Sequence, residues 1–167
     1  NPLKILKISN EKWLNNSVSH PRPQRPGLGL TGYLKHIQTG RIQIFGKTEI
    51  GYLHNLKDDD RNRCLKNYLS LKLPGIIVSE KIDIEEEWIA MAAHFHTPIL
   101  ISELHTAPLI SRLNAFLYQY FSKKIKLNGV LMDIMGQGVM LTGASGIGKS
   151  ETALELATTR PAGVNID

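Results

Sequence analysis

The chain has 167 residues, 42% of them apolar and 21% charged, a balance that excludes a disordered polyelectrolyte and allows one domain or two small ones. No apolar run reaches the ~20 residues of a membrane-spanning helix. A single cysteine, Cys64, excludes an internal disulfide and points to the cytosol. The net charge of +5 is uneven: residues 1–70 hold 12 Lys/Arg against 5 Asp/Glu, whereas residues 71–167 hold 8 against 10. The basic residues are scattered and few aromatics interleave with them. They therefore read as solvated surface rather than a nucleic-acid footprint. The chain opens on Asn1-Pro2 with no initiator methionine, which predicts a preceding piece.

In chain order, the short apolar stretch over residues 3–8 is a first candidate strand. Pro21, Pro23 and Pro26 then exclude a helix and favour an extended connection ending at Gly27. Arg41-Ile-Gln-Ile-Phe45 alternates apolar and polar residues and reads as a strand. Thr48 is placed to cap a helix over 49–56. Asp58, Asp59 and Asp60 stand at the start of a second helix running to about Leu71, where carboxylates meet the positive end of the dipole. Pro74-Gly75 ends it. Residues 76–78 read as a buried strand, 84–95 as a helix with Glu85, Glu86 and Glu87 in its first turn, and 99–101 as another strand. Residues 106–120 form a helix whose apolar positions, Leu109, Leu113, Phe116, Leu117 and Tyr120, recur at spacings of 3 and 4. Strands alternating with amphipathic helices imply an α/β domain with a largely parallel sheet and flanking helices.

The basic stretch Ser122-Lys-Lys-Ile-Lys126 separates an N-terminal domain, 1–126, from the opening of a second, 127–167. The second begins with two strands, 130–134 and 139–142, joined by a tight turn at Gly136-Gln-Gly138. The strand over 139–142 enters Gly143, Ala144, Ser145, Gly146, Ile147, Gly148, Lys149 and Ser150, which fit G-x-x-x-x-G-K-[ST], and good helix formers follow. This strand–loop–helix context is what a phosphate-binding loop requires. Glycines let the backbone N–H groups converge on phosphate oxygens, and the helix aims its positive end at them. In this reading Lys149 reaches the β/γ-phosphates of ATP and Ser150 supplies a hydroxyl to Mg²⁺. The segment Gly163-Val-Asn-Ile-Asp167 places Asp167 18 residues after Lys149, either as a carboxylate ending the next strand or as a tail without function.

Four segments, Arg22-Pro-Gln-Arg-Pro-Gly-Leu-Gly-Leu-Thr-Gly-Tyr33, Arg41-Ile-Gln-Ile-Phe-Gly46 with Thr48-Glu49, Asn128-Gly-Val-Leu-Met-Asp-Ile134 leading to Gly136-Gln-Gly138, and Thr142 through Ser150-Glu-Thr-Ala-Leu-Glu-Leu156, together resemble the HPr kinase/phosphorylase family. The resemblance spans about residues 20–157. It implies an N-terminal α/β domain like the first domain of the muramyl-peptide ligases, followed by a hexamer-forming kinase domain. It also implies phosphorylation of a serine of the phosphocarrier protein HPr by ATP or pyrophosphate, with the reverse phosphorolysis, in regulating carbon metabolism. Residues 143–150 would then bind nucleotide, Lys149 would be catalytic, Ser150 would hold Mg²⁺, and Asp167 would fall on the catalytic aspartate, acting as base in one direction and acid in the other. The chain departs from the family pattern at Asn128, where the family has histidine, and at Arg160-Pro-Ala-Gly-Val-Asn-Ile-Asp167, where Pro161 stands and the first Asp of an Asp-Asp pair is missing. The family's second Mg²⁺ carboxylate lies beyond residue 167, so the chain reads as an incomplete enzyme.

Other features read as structural. His94 and His96 suit a helix C-terminus better than a metal, His54 and His105 have no sequence partner, Cys64 packs in a helix, the Leu109-Leu113-Leu117 stripe is core, and Asp58–Asp60 is a cap. Two alternative functions stand beside the kinase: another loop-containing nucleoside triphosphatase, and a non-catalytic regulatory or interaction domain with a vestigial loop.

Overall fold

A computed structural model describes residues 2–122, 127–134 and 136–158, and the backbone of 164–166. The chain divides after Ser122 into two units.

The first unit runs β1 (Ile5–Ser9), β2 (Gln43–Phe45), α1 (Lys47–His54), α2 (Asp58–Leu69), β3 (Ile76–Val78), α3 (Glu86–His94), β4 (Ile99–Ser102) and α4 (Thr106–Phe121). The sheet order is β1-β4-β3-β2. β2, β3 and β4 are parallel, with Ile44, Ile77 and Leu100 in register. β1 is antiparallel to β4 at one edge. The unit is therefore α/β with a mostly parallel sheet. β2 and β3 are buried on both faces, as central strands covered by helices must be. On one face Phe45, Ile76 and Val78 pack with Leu53 of α1, Tyr68 of α2 and Trp88 of α3. On the other, Ile44 and Ile77 pack against Leu109, Leu113 and Leu117 of α4. The three leucines are buried as the periodicity predicts, whereas Phe116 and Tyr120 lie beyond the stripe, exposed and stacked on each other.

The proline-rich segment covers the open edge of β2. Gln24 makes a single parallel bridge to Gln43, donating its N–H to Ile42 and accepting that of Ile44. Prolines on both sides stop the pairing from spreading, which blunts the edge.

Helix starts differ from the sequence expectation. α1 begins at Lys47, two residues before the expected start, and its N-cap is Gly46 rather than Thr48. The Glu49 carboxylate, at the third helical position, accepts the Gly46 N–H at 2.9 Å. Glycine serves here because a Cβ would sit 2.7 Å from Thr106 Oγ1. Asp58, Asp59 and Asp60 are the first three residues of α2 itself, with Lys57 at the cap position. They complement the dipole, and Asp58 and Asp60 pair with Arg61 and Arg63 three residues on.

The second unit holds β5 (Gly129–Ile134), β6 (Gln137–Thr142), α5 (Lys149–Thr158) and β7 (Val164–Ile166), with sheet order β6-β5-β7. β5 and β6 form an antiparallel hairpin closed by the pair Ile134–Gln137. The connection is thus two residues long, and Gly138 is a strand residue opposite Asp133 rather than part of the turn. Gly136 takes φ +79° and donates its N–H to Asp133 Oδ1, the left-handed turn geometry that glycine tolerates. Among the described side chains of this unit, Met132 and Ala153 are the fully buried apolar ones.

Candidate functional site

β6 ends at Thr142, residues 143–148 turn, and α5 begins at Lys149. The turn depends on glycine at two points. Gly146 has φ +81° and Gly148 φ +92°, where an L side chain costs about 1–2 kcal/mol. Gly143 is tight for another reason: a Cβ there would lie 3.2 Å from Ile147 Cγ2. The Ile147 N–H reaches Ala144 O, and the Thr152 N–H donates to Gly148 O at 2.9 Å, the first helical bond of α5. The N–H groups of Lys149, Ser150 and Glu151 precede that bond, so they face outward at the positive end of the helix.

The Lys149 ammonium folds back over the turn. It donates to Gly143 O at 3.0 Å and to Ala144 O at 2.6 Å. An ammonium has three donors, so one is left for an incoming oxygen. The turn from Thr142 to Ile147 is exposed, as is Ser150, whose hydroxyl stands in the first turn of α5. Among the described residues no group of three His, Cys, Asp or Glu side chains is placed to hold a metal. The Ser150 hydroxyl is a hard oxygen of the kind Mg²⁺ takes, and Mg²⁺ keeps several waters and rarely occupies an all-protein cage.

Asp167 lies outside the described residues. The strand before it, β7, pairs antiparallel with β5, as β6 does on the other side. β6 and β7 therefore run in the same direction, toward the same end of the sheet. Ile166 is level with Met132, and Thr142 with Gly129. The backbone at Ile166 thus stops three residues short of the level of Thr142 and two strands away, about 14 Å. Asn128 is exposed just before β5.

A second cluster occupies the C-terminal edge of the parallel sheet in the first unit. Glu80 accepts from Lys47 Nζ at 2.8 Å and His105 Nδ1 at 3.1 Å, and Ser79 and Thr106 share a 2.7 Å hydrogen bond. Lys47 first, and His105 with it, hold the Glu80 carboxyl below the usual range. Its charges are internally paired, so it reads as a tie between β3, α1 and α4. The two histidines without sequence partners have structural ones: His105 bonds Glu80, and His54 bonds Glu85 at 2.9 Å beside the Trp88 ring. His96 stacks on Trp13 at 3.9 Å, and His94 meets Phe95 edge-on. Cys64 is half-buried against the core.

Two residues carry more than the sequence disclosed. Arg25 forms a bidentate pair with buried Glu49, at 3.0 Å from Nε and 2.9 Å from Nη2. This joins the Arg-Pro-Gly segment to the Thr-Glu segment 24 residues on. The Glu49 carboxylate raises the Arg25 guanidinium pKa above its ordinary value. The spacing from Gly46 to Glu49, that of a capping box, was the available signal. Glu151, next to Ser150, turns its Oε2 toward the end of the loop, 3.8 Å from where a Cβ on Gly148 would stand. Nothing in the sequence marked it beyond its place in a helix's first turn.

Two family models match the chain. The one described as HPr Serine kinase N terminus matches residues 2–117. The one described as HPr Serine kinase C-terminal domain matches residues 119–161.

Proposed function

Because the chain belongs to the HPr serine kinase family, we propose that residues 143–150 bind the phosphates of ATP and that the protein takes part in phosphorylating a serine of HPr. The observation that carries this reading is the Lys149 ammonium, held on the carbonyls of Gly143 and Ala144 with one donor unused. The left-handed Gly146 and Gly148 let the loop amides converge. The first-turn N–H groups of α5 add the positive end of the helix dipole. Lys149 neutralises charge on the phosphates and fixes their orientation. Ser150 offers Mg²⁺ a hard oxygen. ATP with Mg²⁺ supplies an activated phosphoryl group; the chain's own part is to position it and stabilise its charge.

Asp167 is the proposed acid/base group, on its spacing of 18 residues from Lys149. It would take the proton of the attacking serine hydroxyl and return it in the phosphorolysis of phosphoserine by inorganic phosphate. Asn128 can donate a hydrogen bond where the family has histidine, but it does not titrate near neutral pH. The first unit is proposed to be like the N-terminal domain of the muramyl-peptide ligases, and the whole enzyme to assemble as a hexamer in the cytosol. Among the described residues no helix is long and apolar enough to cross a membrane.

The test is to incubate the protein with HPr and Mg-ATP and to look for phosphoserine by mass spectrometry, beside Lys149→Ala. Phosphoserine is expected with the wild type and none with the variant. ATP hydrolysis without phosphoserine would favour another nucleoside triphosphatase. One observation favours a non-catalytic role for this chain: among the described side chains of the second unit, Met132 and Ala153 are the only fully buried apolar ones. Absence of both activities with nucleotide binding retained would support it.

A further inference from the structure

The loop and α5, residues 143–158, contain one cation, Lys149, and two carboxylates, Glu151 and Glu155. Glu151 is exposed and aims Oε2 at the Gly148 end of the loop. The N-terminus of α5, with the free N–H groups of its first turn, lies at this same end. A carboxylate there opposes any bare phosphate that those amides attract. If a doubly charged phosphate at this exposed end came within about 7 Å of Glu151, the repulsion would weaken its binding by about three- to sevenfold at low salt. A divalent cation on the phosphates reverses the sign, because the carboxylate then faces net positive charge and can accept a hydrogen bond from the cation's water shell.

We propose that Glu151 is a specificity-determining residue that makes polyphosphate binding at residues 143–150 dependent on a divalent cation, rejecting the metal-free anion and favouring its Mg²⁺ complex. This rests on the phosphate-loop reading above and deepens it. A glutamate in a first helical turn also stabilises the helix through the dipole. That role alone changes α5 stability but leaves the response to Mg²⁺ unaltered.

The experiment is isothermal titration of inorganic pyrophosphate into the 167-residue chain, once in EDTA and once in Mg²⁺, with Glu151→Gln, Glu155→Gln and Lys149→Ala beside the wild type. Circular dichroism checks that each variant keeps its helices. The expected result is that Glu151→Gln tightens metal-free binding by about three- to sevenfold and shrinks the gain from Mg²⁺ by at least that factor. Glu155→Gln, one turn further along, should change both by less than about twofold. An unchanged Mg²⁺ gain in Glu151→Gln, or an equal effect of Glu155→Gln, overturns the proposal. Lys149→Ala separates it from its premise. If Lys149→Ala abolishes binding while Glu151→Gln is silent, this inference alone falls; if Lys149→Ala binds like the wild type, the loop reading falls.

Discussion

Replacing Arg25 with alanine removes the two hydrogen bonds that the guanidinium gives the Glu49 carboxylate, at 3.0 and 2.9 Å. Glu49 is only 4% exposed, whereas the Arg25 side chain is 44% exposed. Breaking a fully buried pair by removing one partner costs about 3–5 kcal/mol, because the other charge is stranded. Here water can enter where the guanidinium stood, and Glu49 keeps the Gly46 N–H, so the expected cost is about 2–3 kcal/mol. With an unfolding entropy of ~2.1 cal/mol/K per residue, 122 residues lose ~4 °C for each kcal/mol, or about 8–12 °C in Tm. Both tryptophans, Trp13 and Trp88, belong to this unit. Their fluorescence in urea therefore reports its unfolding without contribution from the second unit. Glu49→Gln retains an oxygen for Gly46 and removes the charge, so Arg25→Ala on that background should cost less than about 1 kcal/mol. A loss below about 0.5 kcal/mol for Arg25→Ala alone, the value of an ordinary surface pair, would refute the claim that this clamp joins the two segments.

Tyr68→Phe removes a buried hydroxyl that donates to Gln43 Oε1 at 2.7 Å; stranding that acceptor should cost about 1–3 kcal/mol in the same urea titration. Gly46→Ala drives a Cβ to 2.7 Å from Thr106 Oγ1, and a loss of about 1–3 kcal/mol is expected from the overpacking. Glu80 has a lowered pKa because of Lys47 and His105. Its stabilisation is present above the unfolded carboxyl range and lost as pH falls through the lower folded value. Urea midpoints followed from about pH 6 to about pH 3 should therefore fall less steeply for Glu80→Gln than for the wild type. Gly148→Ala puts an L residue at φ +92°; a free loop that relaxes out of this conformation must be returned to it by the ligand, and pyrophosphate titration should then show binding weakened by about tenfold for 1.4 kcal/mol of relaxed strain.

The strands of the first unit were legible because their chemistry is local. Ile76-Ile-Val78 is too short and too apolar to be anything but a covered strand, and it occupies those three positions. The Leu109-Leu113-Leu117 stripe identified the buried face of α4. Helix starts were less legible. Thr48 looks like a cap, but glycine at position 46 is required by the close approach of Thr106, a residue 60 positions away. The Arg25–Glu49 pair was likewise hidden, since nothing local says that a proline-rich segment lies along β2. In the second unit the strand–loop–helix around Lys149 follows from sequence pattern alone. The direction of Glu151 does not, because it depends on how the left-handed Gly148 turns the chain into α5.

Whether residues 143–150 hold phosphate is decided by titrating Mg-ATP into the wild type and Lys149→Ala. Saturable binding by the wild type, weakened at least tenfold in the variant, about 1.4 kcal/mol, is expected. Tight Mg-ATP binding that survives the loss of the Lys149 ammonium would contradict a phosphate-holding role for these residues.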